Sequence, residues 1–77
     1  MNIVYHSNQY YVVEYPDWGG FELINKLSRQ GAFIQGNLAE SFKNSLVSAF
    51  SEEPTTEQMD EFLGNFDALM SQQMTLH

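Results

Sequence analysis

Carboxylate side chains recur at helical spacing towards the C-terminal end of this chain. They belong to Glu57, Asp60, Glu61 and Asp67, and Gly64 falls among them. At about 100° per residue these positions share one face of a helix. Paired carboxylates act as general acid and base in glycoside hydrolysis, but that chemistry needs two such groups flanking a cleft. A chain of 77 residues leaves little room for a cleft, so we do not expect a hydrolase.

Other catalytic and metal-binding patterns are weaker still. His6 and Glu14 can face each other across a hairpin, but one histidine and one carboxylate fall short of a metal-ligand set. The sequence has no cysteine, no glycine-rich phosphate loop and no cysteine–histidine nucleophile pair. We therefore predict no catalytic residue, no metal site and no cofactor, and a protein that is not an enzyme.

Two interpretations of the acidic helix face stay open. Solvation is the simpler one, because the carboxylates lie opposite the apolar residues of the same helix. Docking of a basic partner is the alternative, since Glu57 and Glu61 form an unfavourable like-charged pair and an exposed mid-helix glycine costs about 0.8 to 1.0 kcal/mol relative to alanine. The predicted docking face comprises Glu57, Asp60, Glu61, Gly64 and Asp67. Such a face would suit an acidic decoy or inhibitor that binds a basic nucleic-acid-binding protein.

The overall charge argues against several classes of partner. With 3 basic and 10 acidic residues the formal net charge is −7, which disfavours direct binding to nucleic acid or to anionic membranes. The chain does not start with a charged and apolar leader pattern, and its apolar runs are too short to span a membrane. We expect a cytoplasmic protein.

The length predicts a single domain, residues 1–77, with a core near the lower limit for independent stability. Small domains compensate with disulfides, bound metals or oligomerisation. Disulfides are excluded because the chain has no cysteine. This raises the expectation of a homo-oligomer, with a homodimer as the simplest form.

The first half of the sequence has the pattern of β-strands. Residues 2–15 are rich in β-branched and aromatic side chains around a polar break at Ser7 and Asn8, which predicts a hairpin. Residues 21–27 and 32–35 are two further strand candidates, separated by polar and glycine residues. We predict a four-strand antiparallel meander over residues 1–36.

The second half has the pattern of two amphipathic helices, residues 37–72. Asn37 with Glu40 resembles a capping box for the first helix, and Thr55 with Gln58 resembles one for the second. Residues 73–77 form a tail that we expect to fray. A meander followed by a helical hairpin predicts an α+β fold in which the helices pack on one face of the sheet.

The first hairpin places large apolar side chains on both faces of the predicted sheet, since successive residues of a strand alternate. One layer of helices covers only one face. We therefore predict a protein–protein interaction module that self-associates through the uncovered face or an edge strand. Tyr5, Tyr10 and Val12 are the candidate contact residues.

Three segments resemble a known family. They are MNIVYHSNQYYVVEYP at the start, GAFIQGNLAESF between strand and helix, and PTTEQMDEFLGNFDALM near the end. Together they are similar to a short acidic bacterial family catalogued as a domain of unknown function, and the similarity covers nearly the whole chain. It implies a stand-alone bacterial cytosolic protein. It supplies no activity, substrate, cofactor or site residue.

Overall fold

A computed structural model of the chain describes residues 1–70. The elements in chain order are β1 (Asn2–His6), β2 (Tyr10–Tyr15), β3 (Gly20–Asn25), β4 (Gln30–Ile34), α1 (Gly36–Ser51) and α2 (Thr56–Gly64). The strands form one antiparallel sheet in the order β1-β2-β3-β4. The predicted α+β class, a four-strand meander followed by helices, is confirmed.

Alternation along the strands divides the side chains between two faces of the sheet. Val12 lies opposite Leu23 on β3, and Leu23 lies opposite Ala32 on β4. All three are buried and belong to the core that the helices cover. Their neighbours along each strand therefore point to the other side. We call this side the helix-free face, since neither helix described within residues 1–70 packs on it.

A bulge interrupts this alternation in β1. The pairing with β2 shifts between Ile3 and Tyr5, so Val4 is an extra residue in the ladder. As a result Val4 and Tyr5 both pack against the core, while Ile3 and His6 lie on the helix-free side.

The core lies between the sheet and the helices. Phe42 packs edge to face on Phe21 of β3 and on Phe66 at ring-centroid distances of 5.2 and 4.9 Å. Such aromatic pairs add about 0.5 to 1.5 kcal/mol each beyond the apolar area that they bury. The buried core comprises Tyr10, Val12, Phe21, Leu23, Ala32, Ile34, Ala39, Phe42, Leu46, Met59, Leu63 and Met70.

The two helix starts differ in how they are capped. Thr55 Oγ1 accepts the Gln58 backbone N–H at 3.1 Å and Gln58 Oε1 accepts the Thr55 N–H at 2.9 Å, so the predicted capping box is confirmed. The box predicted at Asn37 is wrong. The N-cap residue is Gln35, two positions before Asn37, and its side chain makes no capping hydrogen bond; α1 therefore begins at Gly36.

The second helix is shorter than the sequence predicts. Helix α2 ends at Gly64 and the chain turns through Asn65 and Phe66 before helical geometry resumes at residues 67–70. The Asn65 N–H bonds to the carbonyl of Phe62, as in a tightened last turn. Glycine is a poor helix former, which favours this break. The tail predicted at 73–77 lies outside the described residues.

Candidate interaction surfaces

The helix-free face carries a cluster of three aromatic side chains. Tyr15 and Trp18 stack with centroids 5.1 Å apart and planes 17° from parallel. Phe33 of β4 lies 6.5 Å from the Tyr15 ring and 6.2 Å from the Trp18 ring. We call these three residues the aromatic cluster.

Gly20 provides the space that the Trp18 ring of this cluster occupies. The Trp18 ring folds back over the first residue of β3, and a Cβ atom at Gly20 would lie 1.9 Å from a carbon of that ring. No other residue type leaves room for the indole there. The sequence pattern of Trp18 before two glycines predicts only a turn, whereas the second glycine also lets the turn residue cover the sheet.

Much of the aromatic cluster is accessible to solvent. Trp18 is 46% exposed and Phe33 is 51% exposed, and Ile3 on the same face is 56% exposed. Single exposed apolar residues are ordinary, but several on one sheet face form a patch of the kind that marks an interaction site. The helix-free face is therefore the strongest candidate for a binding surface among the described residues.

The structure does not place the predicted self-association residues on this surface. Tyr10 and Val12 are 1% and 0% exposed and lie in the core under the helices. Tyr5 is half-buried, and its hydroxyl points to α2. Tyr10 and Val12 alternate with Tyr11, Val13 and Tyr15, which are the β2 residues on the helix-free face. Of these three, Val13 is itself buried, at 2% exposed.

Two of the four carboxylates in the predicted docking face point to the sheet. Asp60 Oδ1 accepts the Tyr5 hydroxyl at 2.9 Å and the Ser7 hydroxyl at 2.8 Å. Asp67 Oδ1 accepts the Tyr10 hydroxyl at 2.9 Å. These bonds attach the end of the first hairpin to the helices, so Asp60 and Asp67 have a structural role that helical spacing alone did not indicate.

The remaining members of that face are placed differently from one another. Glu57 and Glu61 are exposed, as the sequence predicts. Gly64 is half-buried at the end of α2, and a Cβ atom there would lie 3.6 Å from the Tyr10 hydroxyl. Gly64 is therefore not the exposed mid-helix glycine that the helical wheel indicates, because the helix stops there.

The hydroxyls bound to these carboxylates have raised pKa values. Burial, together with the hydrogen bond to Asp67, raises the pKa of Tyr10 to about 12. Burial and the hydrogen bond to Asp60 likewise raise the pKa of Tyr5. Both phenols are therefore protonated donors at neutral pH, and neither is poised as a nucleophile or a base.

Asn25 completes this polar cluster beneath the helices. It is 6% exposed, and its Oδ1 accepts the Leu27 N–H at 3.0 Å, which shapes the turn after β3. Its Nδ2 points to Tyr10 and Asp67 at 3.5 Å. A buried amide with partners on both ends indicates a structural cluster.

Charged side chains also occupy the helix-free side. Lys26 Nζ lies 2.7 Å from His6 Nε2, and the His6 ring packs on Tyr11 with centroids 5.3 Å apart. Tyr15 donates its hydroxyl to Glu22 Oε1 at 2.8 Å in the middle of the face. The pair Lys43–Glu14, with N and O atoms 3.5 Å apart, lies on the helix side.

Neither a metal site nor a membrane-crossing segment emerges from the part of the chain that the structure describes. Within residues 1–70 no three His, Asp or Glu side chains are grouped so that they could hold an ion. The same residues contain no helix with the length and apolar character needed to cross a bilayer.

The fold and its surfaces define a class: a small α+β protein with a four-strand meander, helices on one face and exposed aromatic residues on the other. Residues 1–77 match the family described as "Protein of unknown function (DUF3567)", and the chain belongs to this family. It is 38% identical over 85 residues to Protein BTH_I0359 of Burkholderia thailandensis, an alignment that covers 100% of both chains. The resemblance seen in the sequence is thus confirmed. No solved structure matches this chain.

Proposed function

We propose that this chain is a non-enzymatic protein–protein interaction module that self-associates through the helix-free face of its sheet. The observation that carries the proposal is the aromatic cluster on that face, in which Trp18 and Phe33 are exposed and Tyr15 is half-buried. Tyr, Trp and Phe are enriched in interface cores because they bury large areas with few rotatable bonds. A cytoplasmic location stays a prediction from the sequence.

The size of the face sets the expected strength of binding. Four strands spaced about 4.8 Å apart and about 20 Å long give a flat face of roughly 400 Å² per copy. Protruding side chains add to this area. Two copies would bury roughly 800 Å² in total, which is below the roughly 1,200 Å² of standard stable interfaces and is typical of weak, transient ones. We therefore expect a reversible dimer with a dissociation constant of roughly micromolar order.

Sedimentation velocity over a range of concentrations tests this proposal. Trp18→Lys places a charge in the aromatic cluster and should give a monomer where the wild-type chain is dimeric. Val47→Lys is the matched control, because Val47 is 61% exposed on α1, and it should leave the dimer intact. A wild-type chain that stays monomeric to about 500 µM, well above a micromolar dissociation constant, contradicts the proposal.

Salt separates this function from a second candidate, an acidic decoy that binds a basic protein through α2. The second candidate is supported by the exposure of Glu57 and Glu61 and by the lack of a basic residue in the last turn of α2. An apolar dimer should persist in about 0.5 M salt, whereas binding through exposed carboxylates should weaken as the Debye length falls below about 10 Å.

A lysine-rich peptide is a direct probe of the second candidate. In an NMR titration at low salt it should shift the amide signals of α2, and Glu57→Gln combined with Glu61→Gln should abolish those shifts. The control is Glu40→Gln, an exposed carboxylate on α1. Shifts of equal size in all three proteins would reject a specific acidic docking face.

A further inference from the structure

The helix-free face has opposite charges at its two ends. The turn between β3 and β4 carries Lys26 and Arg29, and the Lys26 ammonium reaches over this face to His6. The turn between β2 and β3 carries Asp17, next to Trp18. Lys26 and Asp17 are separated by the six residues of β3, a distance of about 20 Å. They are too far apart to pair within one chain.

The helix side of the molecule also exposes Leu38, Val47 and Phe50 of α1, but a second copy that approaches there meets many like-charged carboxylates. Exposed acidic residues there are Glu40, Glu52, Glu53, Glu57 and Glu61. Among residues 1–70, Glu22 is the one carboxylate on the strands of the helix-free face, and Tyr15 hydrogen-bonds it. Two chains that each carry a net charge of −7 meet the least repulsion when they approach through this face.

We propose that a second copy of this chain binds the helix-free face with its strands antiparallel to those of the first, so that Lys26 of each copy lies opposite Asp17 of the other. A two-fold axis in the interface, perpendicular to the strands, reverses the strand direction of the second copy and brings unlike ends together. Because such an interface is isologous, it contains the Lys26–Asp17 pair twice. This inference rests on the proposed self-association and adds its orientation.

In this arrangement apolar contacts provide the affinity and charged contacts determine the orientation. The aromatic cluster of one copy covers the Tyr11 and Ile24 end of the other, and this buried apolar area provides most of the affinity. Rim charges contribute less to affinity, but they favour the antiparallel orientation of the two copies. In the parallel orientation Lys26 of one copy would face Lys26 of the other.

Charge reversal tests the orientation. Lys26→Glu makes one end of the face acidic, so like charges meet in the homodimer, and Asp17→Lys does the converse. Each variant alone should dimerise about tenfold more weakly, since two equivalent pairs change sign at once. An equimolar mixture of the two should form a heterodimer of wild-type strength. Its two pairs both join opposite charges, because the new glutamate at position 26 meets the new lysine at position 17 and the native Lys26 meets the native Asp17. The double variant should also recover its homodimer.

The mixture is the decisive measurement, because a folding defect in either variant cannot produce recovery on mixing. If both single variants dimerise as strongly as the wild-type chain, the antiparallel orientation is wrong, while the proposed self-association is unaffected. Recovery in neither the mixture nor the double variant also overturns this orientation. A wild-type monomer at all concentrations removes the proposed function and this inference together.

Discussion

The Tyr10 hydroxyl donates a hydrogen bond of 2.9 Å to Asp67 Oδ1 and thereby joins the second strand to the helical segment that follows α2. The two residues are 57 positions apart in the sequence. Tyr10 is 1% exposed, so its hydroxyl needs a partner inside the protein. Asp67, a member of the predicted docking face, therefore takes part in the tertiary structure.

Removal of this hydroxyl should destabilise the fold. Tyr10→Phe keeps the buried ring and loses the bond to a carboxylate, and we expect a loss of about 1 to 2 kcal/mol. Urea unfolding followed by circular dichroism measures it. Tyr11→Phe is the control, because Tyr11 lies half-buried on the helix-free face, and it should change the free energy of unfolding by less than about 0.5 kcal/mol. Equal losses in the two variants would contradict a role for the bond.

Alkaline pH tests the same hydroxyl. The pKa of Tyr10 is raised from 10.0 to about 12, so the folded chain holds the phenolic proton more tightly than the unfolded chain does. The resulting stabilisation is complete below pH 10 and is lost as the pH rises towards 12. The difference in unfolding free energy between wild type and Tyr10→Phe should shrink across that interval. The raised pKa values of Tyr5 and Tyr15 occur in both proteins and cancel.

The carboxylates of α2 should divide into structural and surface groups. Asp60→Ala removes the acceptor of two hydroxyls, from Tyr5 and Ser7, and should lower the free energy of unfolding by about 1 to 3 kcal/mol. Glu61→Ala, the adjacent exposed residue, should change it by less than about 0.5 kcal/mol. Thermal melts of the two variants give the comparison, and a Glu61 effect as large as that of Asp60 would reject the division.

Two glycines should respond to alanine in opposite directions. At Gly64 a Cβ atom meets the Tyr10 hydroxyl at 3.6 Å, an ordinary contact, so Gly64→Ala should stabilise the protein by up to about 1 kcal/mol. Gly36 has a φ of 65°, which disfavours any Cβ, so Gly36→Ala should destabilise by about 1 kcal/mol. Melting temperatures measure both. Destabilisation by Gly64→Ala would show that the close approach of Tyr10 leaves no room for a methyl group.

Substitution of Gly20 should displace the indole of Trp18. A Cβ atom there would lie 1.9 Å from the ring, so Gly20→Ala should move the indole into solvent and shift its fluorescence emission to longer wavelength. Trp18 is the single tryptophan of the chain, so the signal has one source. We expect a loss of about 1 kcal/mol from the displaced stack.

A double-mutant cycle supplies the control for Gly20. In a Trp18→Ala background the ring is gone, and Gly20→Ala should then cost nothing measurable by circular dichroism. A cost that persists without the ring would assign the effect to the backbone of β3. It would also leave the packing of Trp18 on the sheet without support.

Within the sheet, the sequence showed which residues share a face of β3 but not which residues of β2 join them. Phe21 and Leu23 alternate with Glu22 and both are buried, whereas Leu27, which the same pattern places with them, lies beyond the end of β3 and is 73% exposed. Extending the assignment to Tyr10 and Val12 requires the register of β2 against β3. The register depends on the turn between them, and a shift of one residue exchanges the two faces.

For the helices, too, the sequence indicated the elements but not all of their contacts. Apolar residues at helical spacing and the Thr55–Gln58 capping box indicated α2 correctly. A wheel drawn through residue 70 assumed one continuous helix with an outward acidic face, whereas α2 ends at Gly64 and Asp67 accepts the Tyr10 hydroxyl. Local propensity weakens a helix at glycine, but whether the chain bends there depends on what the following segment packs against.

The sequence by itself determined the α+β class, the meander, both helices and the excess of apolar side chains on the sheet, because these follow from local periodicity and composition. Only the tertiary structure decided that Tyr10 and Val12 are core while Trp18 and Phe33 are exposed, and that Asp60 and Asp67 bind hydroxyls. These outcomes depend on strand register and on contacts between residues more than 50 positions apart. Neither leaves a periodic signal in the chain.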